Sequence, residues 1–403
     1  MKKFKLVTLL GIRPDIIRMH KLIKLLDEGQ DKGNYEHIYA HTGQHFDYEL
    51  DEIFYEQLGV RKPEENFHIG QVLKESGGPT THPYQTALLF QKLSEFIERT
   101  HPDAIMYLGD TNSVISSVIP ARYQVPVIHI EGGGRSFDWR MPEEKDRIII
   151  DHLSDMIYCY LPRYKDILLS EGIPQYRIKV IGNIIDDAIK AFLPMAQASP
   201  ILQTLNLKKS SYALVTIHRE ENTQSQEELK QKIEGLVKLS KDMPVVFPVM
   251  PRVKGKLEKF GLQTLFANTG VIQMKPLGFL EFLKLEQDAR IIVSDSGTVQ
   301  EEALILGVPC LITRLSTERP ETIQTGATIL SNDHLYENAV KAMNLPKTWD
   351  RTMLNPYKTS PSEVVFDDLM EKIESGFFST SRNFESMKNN PFVLEAYGKT
   401  DTI

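Results

Sequence analysis

The chain contains the segment Ile291-Ile-Val-Ser-Asp-Ser-Gly-Thr-Val-Gln-Glu-Glu302, which reads as a buried strand, a tight turn and the start of a helix. Such a turn leaves the first helical N–H groups unpaired beside the positive end of the helix dipole, where phosphate oxygens bind. Glu302 lies one turn further on, where a carboxylate accepts hydrogen bonds from ribose hydroxyls. Downstream, Arg319 follows another apolar strand and supplies a cation. The alternative interpretation is an ordinary strand–turn–helix unit with an Asp/Ser cap.

The chain is long enough for two domains, because 403 residues exceed what one hydrophobic core usually supports. An apolar content of 41% and a charged content of 25% are ordinary for a globular protein. The formal net charge of -7 argues against a nucleic-acid partner, whose binding requires a dense cationic surface. We therefore expect a partner that is recognised by a few arginines rather than by the whole surface.

Neither the cysteines nor the ends of the chain indicate a special compartment. Cys159 and Cys310 lie in apolar strand-like segments and predict buried thiols, with no disulfide framework. No apolar segment approaches the roughly 20 residues of a membrane span, so we expect no membrane association. The basic N-terminus leads through a short apolar segment into a turn, which favours a first strand over a signal peptide and predicts a cytoplasmic protein.

Strands and helices alternate along the chain, a pattern typical of parallel sheets with helices on both faces. The predicted strands are residues 6–10, 37–41, 104–108, 125–130, 157–161, 177–182, 212–218, 245–249, 271–274, 290–293 and 310–313. We predict an α/β protein with two Rossmann-like, doubly wound domains and a cleft between them. The N-terminal domain takes residues 1–185, the nucleotide-binding domain takes residues 186–378, and a polar tail takes residues 379–403.

Charged and polar side chains follow many of these strands, where the carboxyl ends of a parallel sheet gather functional groups. The residues found in this way are Arg13, Arg18, Asp110, Glu131, Arg135, His218, Arg219, Asp295 and Ser296. The convergence of cations, carboxylates and a histidine predicts a ligand site. There is neither a P-loop nor a G-x-G-x-x-G fingerprint, and no two histidines have metal-binding spacing, so we expect no metal.

Most of these residues also have a purely structural interpretation. Asp110, followed by Thr and Asn, fits an Asx turn. Arg13 fits a surface ion pair, and Glu131 fits an exposed acid in a flexible glycine-rich turn. These alternatives remain open for the sequence alone.

The predicted helix over residues 142–153 carries a second group of candidates. Glu143, Arg147 and Asp151 share one face through i, i+4 spacing, which also fits a solvated ladder of ion pairs. His129 and His152 are interpreted as histidines at the edge of the core rather than as ligands.

Several short motifs follow one another in a fixed order along the chain. They are Gly11-Ile-Arg-Pro-Asp15, His41-Thr-Gly-Gln-His45, Gly109-Asp-Thr111, His129-Ile-Glu-Gly132, Pro142-Glu-Glu144 with Arg147, Gly182-Asn183, His218-Arg219, Ser294-Asp-Ser-Gly297 with Gln300-Glu-Glu302, and Thr317-Glu-Arg-Pro-Glu321. Over about residues 4–375 this set resembles the non-hydrolysing UDP-N-acetylglucosamine 2-epimerases. The resemblance implies a GT-B-like fold in which the last helix, residues 363–376, crosses back onto the N-terminal domain.

The resemblance also implies a reaction that requires neither a cofactor nor a metal. The C2 proton is removed and UDP leaves C1, which gives a 2-acetamidoglucal. UDP then adds back while a proton reaches the opposite face, which interconverts UDP-GlcNAc and UDP-ManNAc for cell-surface polysaccharide precursors. Two faces require two proton-handling groups, and crowded carboxylates raise one another's pKa so that one holds a proton at neutral pH.

The resemblance assigns a role to each matching position. The implied catalytic residues are Asp110, Glu131, Glu143 and His218. The implied substrate-binding and UDP-binding residues are Arg13, Arg18, Arg147, Arg219, Phe282, Ser296, Gly297, Thr298, Glu302 and Arg319. Which carboxylate acts on which face of C2 stays open. The chain departs from the family at Thr298, where a second glycine is usual, and at Arg18, which replaces a lysine.

Two further departures leave the sugar and its regulation open. Pro248-Val-Met250 lacks a histidine found in many relatives, and His45-Phe-Asp-Tyr48 differs from their usual sequence near the region where some bacterial members bind a second UDP-sugar. The alternatives are a 2-epimerase of a 6-deoxy or uronate UDP-2-acetamido sugar, a hydrolysing epimerase, a GT-B glycosyltransferase or a non-enzymatic UDP-sugar sensor. The family usually forms homodimers, so the resemblance also implies a second copy of this chain as partner.

Overall fold

The computed structural model describes residues 3–43, 55–77 and 81–380. The predicted tail from residue 381 onward lies outside the described residues, as do Gln44 and His45 of one quoted motif. Two compact units divide the chain. Unit 1 holds the described residues of Met1–Gly134, Trp139–Ala188 and Tyr357–Ile403, and unit 2 holds Arg135–Asp138 and Ile189–Pro356.

Unit 1 is built on a parallel sheet. Its described strands are β1 (Phe4–Leu10), β2 (Tyr35–His41), β3 (Glu65–Asn66), β4 (Ala104–Leu108), β5 (Val127–Ile130), β6 (Met156–Cys159) and β7 (Ile178–Val180). Among the described residues they lie in the order β3-β2-β1-β4-β5-β6-β7. Strand order reverses between β1 and β4, and such a switch point is where open α/β sheets place their ligands.

Helices connect these strands. They are α1 (Arg13–Gly29), α2 (Ile69–Glu75), α3 (His82–Thr100), α4 (Val118–Arg122), α5 (Pro142–Leu153), α6 (Pro162–Ser170) and α7 (Ile185–Gln197), with short 3₁₀ turns at Val114–Ser117 and Gln175–Arg177. Four of them, α1, α3, α5 and α6, carry proline in the first turn, where its missing N–H costs nothing. The chain leaves unit 1 within α7, after Ala188, close to the predicted boundary at residue 185.

Unit 2 repeats this plan. Its strands are β8 (Ala213–Thr216), β9 (Val245–Pro248), β10 (Val271–Met274), β11 (Ile291–Ser294), β12 (Cys310–Ile312) and β13 (Thr328–Leu330). They form a parallel sheet in the order β10-β9-β8-β11-β12-β13, with the switch point between β8 and β11. The two parallel sheets confirm the predicted α/β class.

The helices of unit 2 follow the same alternation. They are α8 (Ile201–Thr204), α9 (Glu220–Thr223), α10 (Gln226–Leu239), α11 (Pro251–Lys259), α12 (Phe279–Asp288), α13 (Gly297–Leu306), α14 (Pro320–Gln324) and α15 (Leu335–Met343), with a 3₁₀ turn at Leu262–Phe266. A capping box begins α10, because Ser225 accepts from the N–H of Glu228 while the Glu228 carboxylate accepts from Ser225.

The strands of unit 2 are apolar on both faces because helices cover both. Along β11, Ile291 and Val293 join one buried cluster, while Ile292 joins the cluster on the opposite face with Cys310. A strand buried in this way shows a continuous apolar run instead of alternation. This explains why the strand was readable from sequence, and it places Cys310 in the core as a buried thiol.

The C-terminal helices α16 (Pro361–Glu374) and α17 (Phe377–Thr380) belong to unit 1. The N–H of Ser362 donates to Asp187 Oδ2 at 2.9 Å, which satisfies an orphan donor in the first turn of α16. Further along, the Tyr158 hydroxyl donates to Asp368 Oδ2 at 2.9 Å. These contacts fasten α16 to unit 1. None of the helices within the described part of the chain combines the length and the apolar character that a membrane span requires.

Candidate active site

The loops after β1 and β4 pack against each other at the switch point of unit 1. A Cβ on Gly11 would lie 2.8 Å from Ser113 Oγ and 3.0 Å from Thr111 Oγ1, so this close approach requires glycine. The motifs that begin at Gly11 and at Gly109 therefore lie side by side, as the strand ends of a parallel sheet predict.

Arg18, predicted to bind the substrate, lies between two carboxylates. It hydrogen-bonds Glu131 through Nη1, and its Nη2 donates to Asp15 Oδ1 at 2.9 Å. Burial raises the pKa of Asp15 to about 6, although Arg18 and the N–H groups of Gly11 and Ile12 act in the opposite direction. The structure therefore joins Arg18 directly to the predicted catalytic residue Glu131.

Glu131 has a strained backbone and a buried side chain. Its φ is 78°, in the left-handed region that non-glycine residues rarely adopt, and only 6% of the residue is exposed. The Tyr160 hydroxyl donates to Glu131 Oε2 at 3.2 Å. A Cβ on Gly109 would lie 3.4 Å from the same oxygen and 3.2 Å from Arg18 Nη2. The interpretation of Glu131 as an exposed acid in a flexible turn is therefore wrong.

Asp110 and Arg147 form a second network on the neighbouring loop. The Nε of Arg147 donates to Asp110 Oδ2 at 2.9 Å, and its Nη1 donates to Glu144 Oε2 at 2.8 Å. Arg147 is 3% exposed, and a buried charge requires such partners. Asp151, one turn along α5, is also buried and pairs with His129. The alternative of a solvated ladder along this helix is therefore wrong for Arg147 and Asp151.

Asp146 is a titratable group that our sequence analysis missed. Burial, together with the negative charges of Asp110 and Glu143, raises its pKa to about 7. Its spacing of three residues from Glu143 puts both on one face of α5, and this spacing was the available signal. The predicted carboxylates Asp110 and Glu143 thus lie near a group that titrates at neutral pH.

In unit 2, Asp295 organises the loop after β8. The N–H groups of His218 and Arg219 donate to Asp295 Oδ2 at 2.9 Å and 2.8 Å, and Asn222 Nδ2 donates to the same oxygen at 3.0 Å. The Nδ1 of His218 lies 3.1 Å from Asp295 Oδ1. Asp295 is fully buried. Its carboxylate contacts both the backbone N–H and the ring of His218, a predicted catalytic residue.

The charges of this pair reinforce each other. Burial favours the neutral acid, but His218 and the hydrogen bonds of the loop prevail and lower the pKa of Asp295 to about 2. Desolvation likewise opposes a charged imidazole, yet the adjacent Asp295 carboxylate raises the pKa of His218. The ring remains reachable, because 43% of its surface is exposed. His218 is therefore suited to carry a proton or a positive charge toward a ligand.

Ser296, Gly297 and Thr298 occupy the start of α13, with Ser296 as the N-cap. The helix begins at Gly297, directly after the turn. A Cβ on Gly297 would lie 2.6 Å from Glu318 Oε1, so the close approach of Glu318 requires glycine here. The first amides of a ten-residue helix thus lie in one turn, as the phosphate hypothesis requires.

Arg319 and Glu302 have partners that sequence did not indicate. Arg319 is 3% exposed and forms an ion pair with the fully buried Glu301. Burial, and then the negative charge of Glu302, raises the pKa of Glu286 well above its ordinary value, which favours the protonated acid at this position. Arg319, predicted to bind phosphate, thus lies beside the buried Glu301. Glu302, predicted to bind the ribose, lies beside the buried Glu286.

The remaining candidates have less distinctive surroundings. Arg13 is partly exposed at the first position of α1, and Arg219 is partly buried just before α9. Phe282 is partly buried on α12 and packs against the apolar cluster that contains Ile292. Their roles stay predictions. The described residues contain no group of three or more His, Cys, Asp and Glu that could hold a metal ion.

The candidates divide between the two units. Unit 1 contains Arg13, Arg18, Asp110, Glu131, Glu143 and Arg147, and unit 2 contains His218, Arg219, Phe282, Ser296, Gly297, Thr298, Glu302 and Arg319. Chemically, unit 1 offers carboxylates that arginines hold in place. Unit 2 offers helix amides and an imidazole whose protonated form Asp295 favours, and both suit an anion.

Comparison with known proteins agrees with this chemistry. The family model described as UDP-N-acetylglucosamine 2-epimerase matches residues 27–363. A UDP-N-acetylglucosamine 2-epimerase of Methanocaldococcus jannaschii is 36% identical over 365 residues, covering 89% of this chain and 96% of that protein. A UDP-2,3-diacetamido-2,3-dideoxy-D-glucuronate 2-epimerase of Pseudomonas aeruginosa is 35% identical over 342 residues, covering 83% of this chain and 91% of that protein.

A solved structure is similar over nearly the whole chain. The crystal structure of Methanocaldococcus jannaschii UDP-GlcNAc 2-epimerase in complex with UDP-GlcNAc and UDP has a TM-score of 0.82 and 34% sequence identity. The match covers 93% of this chain and 100% of that chain.

Proposed function

This chain belongs to the UDP-N-acetylglucosamine 2-epimerase family, and on that premise we propose that it inverts C2 of UDP-N-acetylglucosamine without hydrolysing it. The C2 proton is abstracted and UDP departs from C1, which leaves a 2-acetamidoglucal. UDP then returns to C1 while a proton is delivered to the other face of C2, which gives UDP-N-acetylmannosamine.

The observation that carries this proposal is the pairing of two carboxylates with two separate buried arginines. Asp110 is held by Arg147 at the end of β4, and Glu131 is held by Arg18 at the end of β5. A reaction that moves protons on two faces of one carbon needs two fixed acid–base groups in different positions. A simple binding protein has no need for two carboxylates arranged in this way.

Asp146 and Glu143 support the same chemistry. A proton at C2 of a sugar is weakly acidic, so one group must be ionised while another stores a proton. The pKa of Asp146, raised to about 7, supports the storage of a proton near Asp110 and Glu143 at neutral pH. We assign Glu143 to the acid–base set with Asp110 and Glu131, and we leave open which residue acts on which face.

We assign the UDP portion to unit 2. The amides of Ser296, Gly297 and Thr298 bind phosphate oxygens at the start of α13. His218, whose protonated form the adjacent Asp295 favours, stabilises the negative charge that develops on the departing diphosphate. Glu302 accepts hydrogen bonds from the ribose.

The cations Arg219 and Arg319 complete the proposed recognition of the diphosphate by unit 2, and Phe282 contributes an apolar contact to the UDP portion. Arg13 remains a predicted substrate-binding residue of unit 1. Arg18 and Arg147 orient carboxylates in unit 1 and hold the anionic substrate there only indirectly. No residue in this scheme needs a metal or a redox cofactor to perform its step.

A second substrate class is favoured by one comparison. The Pseudomonas aeruginosa relative, named for a diacetamido uronate, is 35% identical, almost as similar as the 36% identical UDP-N-acetylglucosamine epimerase. Because both act on UDP-2-acetamido sugars by name, the UDP and C2 chemistry is common to both proposals. The sugar substituents at C3 and C6 are the part that differs.

The test is incubation of the full chain with UDP-N-acetylglucosamine in D₂O, followed by ¹H NMR. We expect the epimer to appear with deuterium at C2 and with no accumulation of UDP. Epimerisation with the C2 hydrogen retained would contradict the mechanism, and UDP rising in step with free sugar would identify a hydrolysing enzyme. Absence of any epimer without an added acceptor would favour a glycosyltransferase. The same assay with the diacetamido uronate nucleotide, run in parallel, shows which sugar is the substrate.

We further propose a cytoplasmic homodimer that supplies precursors for cell-surface polysaccharides. This assignment follows from the family resemblance. Light scattering coupled to gel filtration tests the dimer, for which we expect about twice the chain mass of 46.1 kDa.

A further inference from the structure

We propose that the buried pair of His129 and Asp151 is a positioning device that fixes the two loops carrying Asp110 and Glu131. This inference rests on the proposed function, since it concerns how the acid–base groups of that reaction are held. Neither residue touches the substrate in our scheme. Both act through the backbone of their neighbours.

His129 links β5 to the end of β4. Its Nε2 lies 2.8 Å from the carbonyl oxygen of Gly109, the residue directly before Asp110. Because a carbonyl oxygen only accepts, Nε2 must carry the proton of this hydrogen bond. The ring is 0% exposed, so water cannot replace His129 as the donor. The ring thus fixes the backbone from which Asp110 extends.

Asp151 links α5 to the loop after β5. Its Oδ1 lies 2.7 Å from His129 Nδ1, and its Oδ2 accepts from the N–H of Gly133 at 3.0 Å. Gly133 stands two residues after Glu131. One carboxylate therefore fixes both the ring and the loop that carries the second acid–base group.

Gly132 packs directly against the His129–Asp151 pair. A Cβ there would lie 2.7 Å from Asp151 Oδ1 and 3.3 Å from His129 Nδ1. The loop thus passes directly over the pair, without room for a side chain between them.

The loop that carries Glu131 needs such support because its backbone is strained at that residue. Glu131 has a φ of 78°, whereas Gly109 and Gly133, with φ of 70° and 81°, adopt this region freely as glycines. A left-handed conformation at a glutamate is costly and persists only where the surroundings enforce it. The hydrogen bonds to Gly109 and Gly133 supply this restraint on both sides of the acid–base groups. A displacement of about 1 Å in such groups can cost about 100-fold in rate.

Asp151→Asn and Asp151→Ala form a matched pair of variants. The asparagine keeps the hydrogen bonds to both His129 and Gly133, because its oxygen accepts from Gly133 and its NH₂ donates to Nδ1 of His129, whose Nε2 still donates to Gly109. The alanine loses the contacts to both His129 and Gly133. If positioning by hydrogen bonds is the role, the asparagine variant retains function and the alanine variant does not.

The experiment measures kcat and KM for C2 deuterium exchange with UDP-N-acetylglucosamine, with UDP affinity and Tm determined on the same samples. We expect Asp151→Ala to lower kcat by about 10- to 100-fold while KM and UDP affinity stay within about threefold. We expect Asp151→Asn to keep kcat within about threefold of wild type. Where the alanine variant does not fold, His129→Phe replaces it, since the aromatic ring keeps volume but makes neither hydrogen bond.

The outcomes separate this inference from the proposed function. Wild-type protein that exchanges no C2 hydrogen with any of the UDP-2-acetamido sugars overturns the proposed function and, with it, this inference. Active wild type with folded Asp151→Ala or His129→Phe at full kcat overturns only the positioning role. Equal loss of kcat in the asparagine and alanine variants also overturns it, because charge rather than hydrogen bonding would then be the essential property.

Discussion

The Nδ1 atom of His218 lies 3.1 Å from Oδ1 of Asp295, and this carboxylate also accepts hydrogen bonds from the N–H groups of His218 and Arg219. The buried acid and the half-exposed imidazole thus stabilise each other's charged forms. The same contact that readies His218 for an anionic ligand also links the stability of unit 2 to pH.

The stabilisation from this pair should be largest between about pH 4 and pH 6.5. Asp295, with a pKa lowered from 3.8 to about 2, contributes above its unfolded pKa and loses that contribution as pH falls through about 2. His218, with a pKa raised above 6.5, contributes below its unfolded pKa and loses that contribution as pH rises through the raised value.

Asp295→Asn should therefore destabilise unit 2 by about 2 kcal/mol at pH 5.5, since three donors lose a charged acceptor. At pH 9 the loss should be smaller by roughly 0.5–1 kcal/mol, because His218 is then neutral and partly exposed. Urea unfolding can be followed by the fluorescence of Trp349, which is buried in unit 2. An equal loss at both pH values would contradict the link to His218.

Removal of the carboxyl group at Asp146 should stabilise the folded chain above neutral pH. The folded pKa of about 7 lies above the unfolded value of 3.8, so wild-type stability falls as pH rises from about 4 to about 7. Asp146→Asn should therefore gain on the order of 1–2 kcal/mol at pH 8, after allowance for solvent screening, and much less at pH 4.5. Thermal unfolding by circular dichroism measures this difference.

The same variant should alter the pH–rate profile. If Asp146 sets the charge around Asp110 and Glu143, an ionisation near pH 7 in kcat should disappear or shift in Asp146→Asn. Wild-type and variant profiles that are parallel from pH 5.5 to pH 9 would show that Asp146 is electrostatically separate from turnover.

Arg319→Ala should weaken UDP binding and also destabilise unit 2. Loss of a charged hydrogen bond to phosphate lowers the binding free energy by about 1.5–3 kcal/mol. Loss of the partner of buried Glu301 costs roughly 3–5 kcal/mol of stability. Arg319→Lys is the matched control, since it keeps a cation for Glu301 but not the planar guanidinium.

Titration calorimetry with UDP and urea unfolding followed by Trp349 separate the two effects. We expect Arg319→Lys to recover more stability than UDP affinity. A destabilised Arg319→Ala variant with unchanged UDP affinity would show that Arg319 is purely structural.

The strands were predictable from the sequence because they are buried on both faces. Residues 291–293 form a continuous apolar run, and this run became β11. The short strands β3 and β13 were missed, since two or three residues give too little periodicity. Helix α2 was missed as well, because His68 enters it in a left-handed conformation without a capping side chain.

The sequence indicated which residues belong to the candidate site, but not which of them contact each other. Strand ends indicated Arg18 and Glu131, yet nothing local showed that residues so far apart in sequence bind each other. Asp15 had a usable signal, because it follows Pro14 in the first turn of α1 and accepts from the N–H of Ile12. Glu286 had none, since its protonation depends on a neighbour contributed by another helix.

Glu143→Gln should suppress turnover while leaving binding nearly intact. Loss of an acid–base group typically lowers kcat by about 100- to 10,000-fold, whereas the amide keeps size and polarity. Glu144→Gln is an informative companion, because Glu144 is buried and accepts from Arg147 at 2.8 Å. We expect that variant to lower Tm instead. Unchanged C2 exchange in Glu143→Gln would remove Glu143 from the catalytic set.

Gly132→Ala tests the packing of the loop that follows Glu131. An added Cβ would lie 2.2 Å from Ile157 Cγ2 and 2.7 Å from Asp151 Oδ1, and both of these neighbours are buried. Overpacking of this kind costs about 1–3 kcal/mol. Gly255→Ala is the matched control, since it adds the same methyl group to an exposed position of α11 with nothing within 4 Å.

The control should stabilise the chain by about 0.5–1 kcal/mol, because alanine restricts the unfolded chain and favours the helix. Opposite shifts of Tm for the same chemical change would locate the effect of Gly132→Ala in the loop itself. The variant should also lose kcat, because movement of residue 132 away from Asp151 displaces the adjacent Glu131. Full activity together with a wild-type Tm would contradict the close packing of this loop.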